Sequence, residues 1–161
     1  MPRKWMFITI LSILIAIVVA LNSLIFSAVF SPGSYAKKQL QQLTLDLRKG
    51  YLKVHEYSIQ RRIAHKYNTQ VLLPNHRKTP LPIRYGYPTG NIRNINDLAM
   101  WVEIDISKWQ LQSITEQSFA LSLRGVAEFN IAQPASQCHL VYQQPKVRKR
   151  QPNLTVYDTG C

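Results

Sequence analysis

The sequence predicts an α+β fold led by a transmembrane helix, and three observations predict it. The front of the chain is an uncharged apolar run, helical apolar periodicity follows, and the last third holds short alternating segments with both cysteines. From Trp5 to Phe30 no residue is charged. At about 1.5 Å per residue such a helix is longer than the roughly 30 Å hydrocarbon core, so it spans with some tilt. A buried helix of a soluble protein is one alternative, but uniform apolarity calls for lipid on all sides. A cleaved secretory signal is the other, with an apolar core of only about 7–15 residues. Arg3 and Lys4 flank the start of the run. The preference of basic residues for the cytoplasmic side then keeps residues 1–4 in the cytoplasm, spans with 5–30, and exports 31–161.

Ser31-Pro32-Gly33-Ser34 breaks the helix, because proline lacks a donor and glycine is flexible, and Ser34 is a suitable cap for the restart. Leu40, Leu43, Leu47, Tyr51 and Val54, with Ile59 and Ile63 one step over, recur at three- and four-residue spacing among Lys37, Lys38, Arg48, Lys49, Lys53, Arg61 and Arg62. That is an amphipathic helix whose stripe needs a partner surface. Gly50 weakens it by about 1 kcal/mol relative to alanine, which marks a place to bend or break. Pro74, Pro80, Pro82, Pro88, Gly86 and Gly90 make 74–90 a connecting loop. A short helix is expected over Asn96–Glu103, capped by Asn94 or Asn96, with Trp101 and Trp109 as core anchors.

Phe119, Leu121 and Leu123 alternate with polar neighbours, Arg124-Gly125 can turn, and Val126–Ile131 can return as the second arm of a hairpin. Cys138–Tyr142 and Leu154–Tyr157 are the third and fourth strands, with the basic segment Pro145–Pro152 between them. The only cysteines, Cys138 and Cys161, both fall on the exported side. An oxidising compartment favours a bridge worth about 3 kcal/mol, the alternatives being two free thiols or part of a metal site.

An apolar helix that runs into an amphipathic one, then an irregular loop and a small sheet with a terminal disulfide, resembles type IV pilins and pseudopilins. Arg84-Tyr85-Gly86-Tyr87-Pro88, the segment Asp105–Trp109, and the tail from Cys138-His-Leu-Val-Tyr142 to Thr159-Gly160-Cys161 are similar to the mannose-sensitive haemagglutinin (MSHA) pilin class. The resemblance implies an amphipathic helix packed on a small antiparallel β-sheet in a periplasmic domain of a bacterial inner-membrane protein. Trp5 stands where pilins carry the glycine before the processing site, and Ile10 where they carry a glutamate. Both departures imply an unprocessed accessory or assembly component of an MSHA-type pilus or type II secretion-like system. Its implied partners are the inner membrane and other pilus or secretion-system subunits.

No catalytic constellation stands out. His55, His65, His76 and His139 fit no zinc spacing, and the few scattered acidic residues offer no carboxylate pair. The expectation is no enzyme, no metal and no cofactor. Charge is the chemical feature that needs an account, since the net +12 falls only to +10 once Arg3 and Lys4 are set aside. One reading is solubility and attraction to anionic lipid, for which Lys37 and Lys38 are placed just past the apolar run. A second is a polyanion footprint at Lys146, Arg148, Lys149 and Arg150, with Tyr142 or Tyr157 stacking on bases, as in DNA-uptake pilins. A third is an acidic pilus partner.

Overall fold

The computed structural model describes residues 13–21, 32–126 and 137–161. The chain divides into two units, Met1–Tyr35 and Ala36–Cys161. In the first, residues 13–21 are helical (α1), with Ile13, Leu14, Ile15 and Val19 exposed. Among the described residues no helix is long and apolar enough to cross a membrane. This corrects the expected fold, in which a transmembrane helix continued into the amphipathic one. A span takes about 20 apolar residues, and the described part of α1 covers residues 13–21. The rest of 5–30, with Arg3 and Lys4, lies outside the described residues.

α2 is Pro32–Gln60. Its described part already includes Pro32 and Gly33, ahead of the expected restart at Ser34. Ala36, Leu40, Leu43, Leu47, Tyr51, Val54 and Ser58 form its buried stripe, close to the expected one, whereas Ile59 is exposed. The helix runs through Gly50 without a break, and a β-carbon there would collide with the Trp101 carbonyl. Gly50 therefore admits Trp101 against the helix. α2 closes with Arg62 in the left-handed region at φ 57°. The Ile63 N–H donates to the Ser58 carbonyl and the Arg62 N–H to the Ile59 carbonyl, a Schellman-type stop.

The stretch expected to be a loop is instead a three-stranded antiparallel sheet of β1 (Thr69–Leu73), β2 (His76–Arg84) and β3 (Tyr87–Pro88), in that order. The prolines are tolerated for a reason of direction. The Pro82 carbonyl accepts from the Thr89 N–H, so the polar groups of Pro82, and by two-residue alternation those of Pro80, face the β3 side. β3 is only two residues long and asks little of them there. Tyr85 at φ 52° and Gly86 at φ 85° make the two-residue turn, the pattern of a type I′ hairpin.

α3 is Ile95–Leu98, shorter than the expected Asn96–Glu103, and Asn94 is its cap, accepting from the Asn96 N–H at 2.6 Å. Trp101 and Trp109 are both buried, as expected. A second sheet runs β4 (Trp109–Thr115), β5 (Ser118–Leu123), β6 (His139–Gln143) and β7 (Asn153–Tyr157), antiparallel in chain order. β5 takes β4 and β6 as its neighbours, so β4 fills the place expected for Val126–Ile131, of which 127–131 lie outside the described residues. The α2 stripe shares one core with both sheets, including Ile83, Phe119, Leu121, Leu140 and Tyr142.

Candidate functional site

The Tyr87–Gly90 segment fastens the two sheets together. The Tyr142 hydroxyl donates to the Pro88 carbonyl at 2.7 Å, and the Gly90 N–H donates to Gln144 Oε1 at 2.9 Å. A β-carbon on Gly90 would overlap the Gln117 backbone, so the strands close on this segment only because it is glycine. Tyr142 is fully buried, stacks on Phe119 at 4.9 Å, and has its hydroxyl pKa pushed well up by burial. It is therefore a core residue, which corrects its expected role as a stacking platform. Tyr157 is half-buried and stacks on His139 at 4.7 Å.

Cys138 and Cys161 form a disulfide that ties the start of β6 to the tail beyond β7. Lys37 Nζ lies 2.7 Å from Asp158 Oδ2 and adds a second tie on the same tail, holding the Asp158 carboxyl below its usual range.

The β6–β7 loop is held at both ends by buried Pro145 and Pro152, and the five residues 146–150 between them are exposed. Of its four cations, Arg148 and Lys149 lean over the C-terminal end of α2 and line a cleft of about 390 Å³ with Arg62, His65 and Tyr85. Lys146 and Arg150 do not line it. His55 and Tyr87 are also in the lining, stacked 4.0 Å apart with their planes 2° from parallel. Burial lowers the His55 pKa, opposed by its neighbour Gly86, although Nδ1 makes no hydrogen bond of good geometry. No carboxylate lines the cleft. A β-carbon on Gly86 would come within 2.7 Å of His55 Nδ1 and 3.0 Å of Ala64 Cβ, so the turn glycine also sets how closely these elements approach.

A second hollow, about 330 Å³, lies between α2 and residues 99–103 and includes Trp101 and Met100. Its rim carries both signs, and Lys53 Nζ and Glu103 Oε1 pair across it at 2.8 Å. Among the described residues no group of three His, Cys, Asp or Glu could hold a metal ion.

Sequence reading singled out Arg148 and Lys149 but missed Arg62, His65 and Tyr85. By spacing alone Arg62 belongs to the polar face of the helix, whereas it is the stop residue beyond the helix end. The Tyr85-Gly86 dipeptide was a turn signal in plain view. No protein-family model, curated protein or solved structure matches the chain.

Proposed function

We propose that the chain is a non-enzymatic accessory component of an MSHA-type pilus or a related type II secretion-like machine, working by protein contact outside the cytoplasm. The observation that carries the contact is on the outer side of α2. Leu45, Leu52 and Ile59 are exposed at seven-residue intervals, at 58%, 41% and 56%. A seven-residue repeat keeps one apolar side chain every two turns on a common seam, which suits a partner helix. A disulfide persists in oxidising compartments, which supports an extracytoplasmic address. The resemblance of Arg84–Pro88 and of the cysteine-closed tail to the MSHA pilin class supplies the kind of machine.

The test is a deletion in the source bacterium, complemented with the wild-type chain or with Leu45→Lys/Leu52→Lys. Deletion should reduce MSHA-type surface pili, and the wild type should restore them. The variant, altered only at exposed positions, should accumulate normally yet fail to restore them or to crosslink a pilus subunit. Undiminished piliation in the deletion strain would sink the reading.

A further inference from the structure

Among the described residues only three other than glycine hold a left-handed backbone: Arg62 at φ 57°, Tyr85 at φ 52° and Lys149 at φ 69°. They belong to three loops far apart in the chain, and all three line the same cleft. Backbone strain of this kind persists only where the surroundings enforce it, and here a helix stop at Arg62, a hairpin turn at Tyr85 and the β6–β7 loop at Lys149 do so. Glycine would be relaxed at each position. At two of the three the residue present is instead a cation, and that cation faces a common hollow.

Arg148 brings a third fixed positive charge and His65 an imidazole, with no lining carboxylate to offset them. None of the four takes part in an ion pair among the described residues. Like charges gathered in a concave, partly apolar site raise the local concentration of anions. Two guanidinium forks match phosphate oxygens in a way a lone lysine cannot.

We propose that this cleft binds a terminal phosphate group, as a phosphomonoester or a diphosphate. The arrangement favours such a group over a nucleic-acid backbone. A backbone presents single charges along a line and needs a track of cations, whereas a terminal phosphate concentrates up to about two charges at one point. Here the cations converge, and Lys146 and Arg150, which could have extended a track, stand outside the lining. The inference is independent of the pilus reading, since it rests on the cleft alone.

The test uses the full purified chain at low ionic strength, where exposed charges are least screened. Pyrophosphate is titrated by calorimetry, and phosphatidylcholine vesicles with and without phosphatidate are floated with the protein. The wild type should bind pyrophosphate, phosphatidate vesicles or both. Binding of pyrophosphate assigns a soluble source, and retention by phosphatidate vesicles alone assigns a lipid headgroup. Arg62→Gly/Lys149→Gly removes two charges where glycine relieves the backbone, so it should melt no lower than the wild type and bind at least about tenfold more weakly. If that variant melts lower, Arg148→Gln, at an exposed position with ordinary backbone, should show the same weakening. Binding of neither probe by the wild type would overturn the proposal. So would undiminished binding by the variants, or equal affinity for an oligothymidine lacking a terminal phosphate.

Discussion

One of the hydrogen bonds that join the two sheets comes from a side-chain hydroxyl in the core. Tyr142 is fully buried, and its O–H donates to the Pro88 carbonyl. Tyr142→Phe keeps the ring stack on Phe119 but leaves that carbonyl unsatisfied, so urea unfolding should show a loss of about 1–2 kcal/mol. A gentler loss would mean that another donor reaches Pro88. Gly50 tests the same logic with the opposite prior. Intrinsic propensity alone favours Gly50→Ala by about 1 kcal/mol in a helix interior. The Trp101 carbonyl occupies the place of the new methyl, so the substitution should destabilise the protein instead. A rise in the urea midpoint would show that Trp101 does not press on the helix. Such pairs are not legible in the sequence, because the reason for Gly50 is Trp101, far along the chain in a loop whose placement depends on the finished fold. Local reading treated Gly50 as a weak point for lack of that neighbour.

Elements were legible where one period dominates. The α2 stripe from Leu40 to Val54 was read correctly because its apolar spacing follows the helix turn and Gly50 interrupts nothing on the buried face. β5, β6 and β7 were placed within a residue or two by alternation and by flanking turns. β2 was missed because proline was read as a breaker everywhere, whereas it disturbs a strand only on the side where a donor is required. The contact between α2 and the β2–β3 turn carries a pH dependence. His55 stacks on Tyr87 and burial holds its pKa below the usual histidine range, so the unfolded chain binds the proton more readily. Stability from this group is full above the unfolded pKa and is lost as pH falls through it toward the folded value. His139, also lowered by burial, acts in the same direction. Urea midpoints should therefore fall on acidification below about pH 6.5, and His55→Phe, which keeps a ring over Tyr87, should shallow that fall. An unchanged slope would assign the effect to His139 and other groups.

At the scale of the molecule, the front of the chain and its end reached different outcomes. The composition of the apolar run predicts a span, whereas among the described residues no helix is long and apolar enough to cross a membrane, and the rest of 5–30 lies outside them. The tail needed only two residues to be near each other, and there the expected Cys138–Cys161 pairing is present. Among the described residues β7 is an edge strand, with a neighbour on one side only, and its exposed side offers little burial to hold it. The bridge, with a sequence separation of 23, and the Lys37–Asp158 pair both tie the tail beyond it. The ion pair is exposed and so contributes little. Closing a loop of that size stabilises by about 3 kcal/mol in the chain-entropy account, a large part of the roughly 5–15 kcal/mol that holds a small domain folded. Cys138→Ser/Cys161→Ser should therefore lower the urea midpoint by the equivalent of about 3 kcal/mol, and dithiothreitol should bring the wild type down to the same value. Amide exchange should quicken first in β7 and only later in β5, which has a neighbour on each side. If reduction leaves both the midpoint and β7 exchange unchanged, the β6–β7 ladder holds the tail by itself, and the disulfide records the compartment in which the chain folds without contributing to the stability of the fold.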